Sequence, residues 1–324
     1  QNLQYGVTVT DAWMKSMIAG AKRKRETWAK VIQRRSEFGF PYIMFKDNSN
    51  NNTPYKELGL DITASNLCSE INAVMDEFIN KSAILPGLGR AHRFAEQHRA
   101  IGIGVMGYHS LLQSKLLEFD SLRTKALNDE IFREIQAASI NASRWLAKYK
   151  DYKCIREGFA NTTLMAIAPT KSSSFIHGAV SMGIEPIKSN YFIKDLAKSK
   201  TVYKNPFLEI ELDKYNLNTD EVWEGILNKD GSVQHLDFPT KEVFKSFIEI
   251  APKELVLQAA QRQKYIDQSQ SLNLMIDPSI PAKDINKLYI YAWEEGVKTL
   301  YYQFSQSSAQ AFSRNILECS SCEG

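Results

Sequence analysis

Short apolar segments alternate along this chain with stretches of helical periodicity, and that alternation limits the fold more than any other feature. The segments "PYIMF" (41–45), "TTLMAIAPTKSSS" (162–174), "SLNLMI" (271–276) and "KTLYYQF" (298–304) read as strands. Between them, "TDAWMKSMIAG" opens on Thr10 and Asp11 as a capping pair and sets Trp13, Met14, Met17 and Ile18 on one helix face. Trp28, Val31 and Ile32 share a face of a second helix that stops near Gly39. Ile71, Val74, Met75, Phe78 and Ile79 form a further stripe, ended by Pro86, Gly87 and Gly89. "AIGIGVMGYHSLL" (100–112) reads as a strand feeding a helix through Gly107, and a long helix covers about 120–149. "ELVLQAAQRQKYIDQS" and "DINKLYIYAWEEGV" are helical, "KDNSNNNTPYK" (46–56) is a polar loop, and 190–250 follows neither period. Apolar strands interleaved with helices imply an α/β fold whose largely parallel sheet is covered by helices. Their number suits part of an α/β barrel, where chemistry gathers at the carboxyl ends of strands.

Composition excludes several functions. A net charge of +3 over 324 residues gives no stripe for direct nucleic-acid binding, and the basic run "AKRKRETWAK" (21–30) fits a solvated helix face. No apolar stretch is long enough to span a membrane, and no secretory signal is visible. Four cysteines, Cys68, Cys154, Cys319 and Cys322, without a disulfide framework suit a reducing cytoplasm. The opening "QNLQYGV", without Met, reads as a cut into a longer protein.

Four groups of residues are candidates for chemistry. In "SNLCSEI" (65–71), an extended backbone would point Asn66, Cys68 and Glu70 the same way, giving a thiol flanked by a proton acceptor and an amide. A buried structural cysteine beside two loop polars explains the same text. "APTKSSS" (168–174) places hydroxyls and Lys171 at a helix amino terminus suited to phosphate, or is an ordinary cap with spare serines. Tyr301 and Tyr302 are either buried core or a chain of redox-active phenols. Cys319-Ser-Ser-Cys322 has no second pair nearby to complete a zinc site, and a mobile electron-carrying dithiol is an alternative. The histidines show no metal spacing, so no metal site is expected in this chain.

Taken together and in order, "SNLCSEI", "RAIGIGVMGYHSLLQ", "TLMAIAPTKSSS", "GIEP", "RQKYIDQSQSLN" and "GVKTLYYQ" resemble the large subunit of class I ribonucleotide reductase, most of all its phage-type branch. The resemblance implies the carboxy-terminal portion of a ten-stranded α/β barrel over 1–304, with a finger loop carrying a radical cysteine, and a flexible redox tail over 305–324. It implies that Cys68 is the thiyl-radical cysteine, that Glu70 takes the proton of the ribose 3′-hydroxyl, and that Ser65 and Asn66 help bind the ribose. Pro169, Thr170, Lys171, Ser172, Ser173 and Ser174 would hold the diphosphate of a ribonucleoside diphosphate. Tyr301 and Tyr302 would relay the radical from a small subunit that carries the metal-based radical. Cys319 and Cys322 would return electrons from thioredoxin or glutaredoxin.

Two departures stand out. The family's amino-terminal half is absent, so another chain is expected to supply it. After Ile71 the chain passes straight to "NAVMDEF", text that lies well downstream in the family. The alternatives are a cobalamin-dependent or glycyl-radical reductase on the same barrel, against which the tyrosine pair and the tail dithiol argue, and an inactive assembly fragment.

Overall fold

The computed structural model describes residues 6–63, 83–150, 152–196 and 199–305, with the side chains of 193–201 left out. Ser65, Asn66, Cys68, Glu70, Cys319 and Cys322, and the stripe from Ile71 to Ile79, lie outside the described residues.

The chain opens with β1 (Gly6–Val9), α1 (Asp11–Ile18), α2 (Lys22–Phe38) and β2 (Tyr42–Phe45). The Thr10 hydroxyl accepts the Trp13 N–H at 3.2 Å, which is the expected cap. Met14 and Met17 face the core, whereas Ile18 turns to solvent. Gly39 ends α2 at φ +82°, and a Cβ there would stand 2.9 Å from the Gln303 carbonyl oxygen, so glycine is required twice over.

Residues 46–56, expected as a loop, instead form α3 (Lys46–Asn51) and α4 (Pro54–Glu57). Poor helix formers are held there by distant partners. The Asn48 amide donates to the carbonyls of Trp293 and Val297, Asn50 bonds both ways with Ile62, and Asn52 donates to Gln263. Tertiary hydrogen bonds outweigh a propensity difference of a few tenths of a kcal/mol per residue, being worth about 1 kcal/mol each.

Next come α5 (Gly89–His98), α6 (Tyr108–Ser114), α7 (Leu122–Tyr149) and α8 (Lys171–Ile176). The unassigned stretch resolves into an antiparallel pair, β3 (Tyr191–Leu196) and β4 (Ser199–Lys204), followed by α9 (Pro206–Lys214) and α10 (Asp220–Leu227). It has its own core around Leu208, Leu212, Trp223, Ile226 and Phe244. The chain returns through α11 (Pro252–Gln263), β5 (Leu274–Met275), α12 (Ala282–Glu294), β6 (Thr299–Leu300) and β7 (Gln303–Phe304).

The β3–β4 pair stands apart, while the sheets β1-β2-β6 and β5-β7 meet through the 298–304 run, where the Tyr301 N–H donates to the Leu272 carbonyl, and form one array. β1 runs parallel to β2, and β2 antiparallel to β6. β7 runs parallel to β5, Gln270 bridges Ile167 in parallel, and Met165 bridges Ile103 in parallel. Pairing within this array is parallel except between β2 and β6, and the separate β3–β4 pair is antiparallel. Among the described residues the array does not close into a barrel: β1 forms one edge and the 101–105 segment the other. Two segments read as continuous strands are broken. The stretch 162–174 contributes isolated bridges and then α8, and 298–304 splits into β6 and β7 around the tyrosines. The reason at 162–174 is competition: the Asp267 carboxylate accepts the N–H groups of Leu164 and Met165.

The main core joins helices α1, α2, α11 and α12 to this array, with Met14, Trp28, Ile32, Ile43, Val256, Leu274, Tyr289 and Leu300 in one cluster. Each such side chain contributes roughly 1.5–3 kcal/mol on burial. No helix among the described residues is long and apolar enough to cross a membrane.

Candidate active site

The break between β6 and β7 determines how the tyrosine pair sits. The Tyr301 N–H donates to the Leu272 carbonyl at 2.9 Å. The Tyr302 N–H leaves the backbone ladder and donates to the Asn273 side-chain oxygen at 3.0 Å. Regular strand alternation is lost at this point, so neighbouring side chains need not face opposite ways. The two rings touch, with centroids 4.5 Å apart at 61°, and both residues are buried. Both belong to the main hydrophobic core, as the buried-core reading expects, and they contact each other within it.

Buried polar groups adjoining the pair form two hydrogen-bonded sets. The Asn273 amide donates to the carboxylate of Glu185, itself buried, in the "GIEP" turn. Gln303 donates its N–H to Gly39 at 3.0 Å and its side-chain amide to Ser36 at 3.2 Å. Its side-chain oxygen accepts from the Tyr289 hydroxyl, which in turn accepts from the buried Arg35 guanidinium at 2.7 Å. Burial raises the Tyr289 phenol above its ordinary pKa, while Arg35 partly offsets that shift. Tyr289 therefore stays protonated and serves as a hydrogen-bonding brace.

The Ser-rich segment folds as α8 at the carboxyl end of the 163–167 segment, where chemistry was expected. Thr170 precedes it in the left-handed region, at φ +51°. Its hydroxyl oxygen accepts the Gly183 N–H at 2.8 Å, which fixes the turn to the "GIEP" segment. Pro169, Thr170 and Lys171 are half-buried, Ser172 and Ser173 are exposed, and Ser174 is buried with its hydroxyl donating to the Lys171 carbonyl at 3.1 Å. The first N–H groups of such a helix have no acceptor within it, so Ser172 and Ser173 are the hydroxyls best placed to meet an anion there. The Lys171 ammonium lies 5.9 Å from the Tyr302 ring centroid. Two groups of candidates far apart in sequence are thus brought together. A cleft of about 350 Å³ opens beside α8, lined by Lys171, Ser174, Phe175, Lys188 and Phe192 among others.

Cys154, left without a role by its sequence context, is half-buried, and its thiol sulfur accepts the Arg156 N–H at 3.3 Å. Sequence reasoning missed Tyr42, Asn273 and Gln303. Tyr42 sits in a predicted buried strand with nothing to separate it from ordinary core, and the two amides gain their partners only through tertiary pairing.

Comparison with known proteins places the chain in a family. The profile described as "Ribonucleotide reductase, barrel domain" matches residues 5–85, 76–156 and 151–303. The chain belongs to the ribonucleotide reductase large-subunit barrel-domain family. It is 33% identical to the ribonucleoside-diphosphate reductase large subunit of Invertebrate iridescent virus 3, over 92% of this chain and 56% of the relative. It is 29% identical to a putative large subunit of Frog virus 3, over 100% of this chain and 69% of the relative. Among solved structures, the class Id ribonucleotide reductase alpha subunit of Actinobacillus ureae superposes with a TM-score of 0.85 at 45% identity, covering 94% of this chain and 65% of that one. The chain thus spans little more than half the length of the first of these viral relatives.

Proposed function

We propose that this chain supplies the radical-carrying part of a class I ribonucleotide reductase large subunit, which reduces ribonucleoside diphosphates to 2′-deoxyribonucleoside diphosphates. The observation that carries the reading is the buried, contacting pair Tyr301–Tyr302, with Lys171 of the Ser-rich turn over the second ring.

In this reading a small subunit holds the metal-based radical, and this chain binds no cofactor of its own. The tyrosines pass the radical inward, each giving up a hydrogen atom and regaining one in turn, until it resides on Cys68 at the tip of the finger loop. The Cys68 thiyl abstracts the hydrogen of the ribose 3′ carbon. Glu70 accepts the proton of the 3′-hydroxyl, and Asn66 and Ser65 hold the ribose. The 2′-hydroxyl departs as water, and two electrons and two protons from thiols balance the step. Cys319 and Cys322 on the 305–324 tail return those electrons from thioredoxin or glutaredoxin. Thr170 to Ser174, with Pro169 shaping the turn, hold the diphosphate. The remaining barrel strands and the amino-terminal half come from the rest of the large subunit, which covers the two open edges of the array.

The test is deoxyribonucleotide formation by this chain combined with an amino-terminal half and a radical-bearing small subunit. Product is expected from the combination and none from the chain alone. Product from the chain with no added protein would contradict the reading.

A further inference from the structure

Tyr42 stands against both phenols of the pair, and nothing in the proposed relay uses it. Its ring centroid lies 4.7 Å from that of Tyr301 and 5.1 Å from that of Tyr302, the latter edge-on at 79°. The three rings close a triangle whose third side is the 4.5 Å Tyr301–Tyr302 contact. Strand register accounts for the placement. Ile43 is paired with Leu300 and Met44 with Thr299, so the antiparallel run of β2 brings Tyr42 level with Tyr301. Tyr42 is 4% exposed, so its ring fills core volume that water does not reach.

The other sides of Tyr302 are already occupied. Gly39 approaches so closely that a Cβ there would lie 3.2 Å from the Tyr302 ring. Phe304 stacks on it at 5.7 Å and 21°, and Asn273 fixes its backbone N–H. Tyr42 is the side chain from another strand that holds the two phenols against each other. Removing its ring would open a cavity into which either phenol can turn.

We infer that Tyr42 is a positioning residue whose ring fixes the contact between Tyr301 and Tyr302. The inference rests on the relay reading given above. Tyr42 takes no redox step of its own, and its aromatic body carries the effect. A displacement of about 1 Å between reacting groups can cost roughly a hundredfold in rate. An offset phenol pair should therefore slow turnover without weakening substrate binding.

The experiment uses the full-length large subunit with its small subunit and compares Tyr42→Phe with Tyr42→Leu. Tyr42→Phe is expected to keep kcat within about twofold. Tyr42→Leu is expected to lower kcat tenfold or more with KM unchanged, and to slow radical appearance at position 302 when a readily oxidised tyrosine analogue is placed there and followed by electron paramagnetic resonance. Should Tyr42→Leu not fold, Tyr42→Met, a flexible filler of similar reach, carries the same expectation. Loss of turnover in Tyr42→Phe overturns the inference, because the hydroxyl would then take part. Wild-type kcat in Tyr42→Leu or Tyr42→Met overturns it as well. Tyr301→Phe and Tyr302→Phe in the same assay separate the two levels. If they retain turnover the relay reading fails, and if they lose it while Tyr42→Leu does not, only the role of Tyr42 fails.

Discussion

His109 shows how a single buried side chain ties this fold to pH. Its imidazole is fully buried, and Nδ1 accepts the Ile187 N–H at 3.0 Å, which requires the neutral ring. Burial pushes its pKa down to about 3, from an ordinary value of 6.5. Below pH 6.5 the unfolded chain binds a proton that the folded chain refuses until about pH 3. His109 therefore costs no stability above pH 6.5, and stability falls by roughly 1.4 kcal/mol per pH unit as acid is added through that window. His109→Asn keeps an acceptor near the Ile187 N–H and removes the titration. Its denaturant midpoint should vary less between pH 6.5 and 5 than that of the wild type, and an identical pH slope would assign the acid sensitivity elsewhere. Legibility at this scale was uneven. The Thr10 cap and the Gly39 stop follow from local chemistry and were readable. Tyr42 was not, because its partners arrive through the register of β2 against a strand more than 250 residues away.

The element that links fold to proposed chemistry is α8. As text, "APTKSSS" did not distinguish a phosphate turn from an ordinary cap. The fold adds that Ser172 and Ser173 are exposed at the first turn, that Ser174 is spent on the Lys171 carbonyl, and that Lys171 reaches the Tyr302 ring. If the diphosphate binds here, Ser172→Ala and Ser173→Ala should each weaken ribonucleoside-diphosphate binding by about tenfold or more, since a hydrogen bond to a charged group contributes roughly 1.5–3 kcal/mol. Calorimetry on the single and double variants would check this, and unchanged affinity in the double variant would return α8 to the role of a cap. The misread elements share one physical cause. The helices over 46–57 and the breaks within 162–174 and 298–304 are set by hydrogen bonds to residues remote in sequence, such as Asn48 to Trp293 and Tyr302 to Asn273. Periodicity carries no trace of such partners, whereas α12 buries an apolar face of Ile285, Tyr289 and Ala292 and was legible from spacing alone.

At the scale of the molecule, alternation of strands and helices correctly implied an α/β fold; its pairing is parallel in β1–β2 and β5–β7 and antiparallel in β2–β6 and β3–β4. The alternation did not reveal the direction change between β2 and β6 or the separate core around Trp223. The array has two open edges among the described residues, and the chain covers 56% of the Invertebrate iridescent virus 3 relative and 65% of the Actinobacillus ureae structure. In the proposed reading, the rest of a large subunit covers these edges. The tail dithiol belongs to the same level, and its cysteines lie outside the described residues. A Cys319→Ser, Cys322→Ser double variant of the completed enzyme should turn over with a small dithiol and fail when thioredoxin or glutaredoxin is the sole reductant. Equal activity with both would remove the shuttle role. The central claim, that radical chemistry passes through this chain to Cys68, is tested most directly by Cys68→Ser in the reconstituted enzyme, with deoxyribonucleotide formation and substrate affinity measured side by side. The serine hydroxyl fills the same space but does not readily form the radical, so turnover should vanish while ribonucleoside-diphosphate affinity stays within about twofold. Substantial deoxyribonucleotide formation by Cys68→Ser would contradict the account.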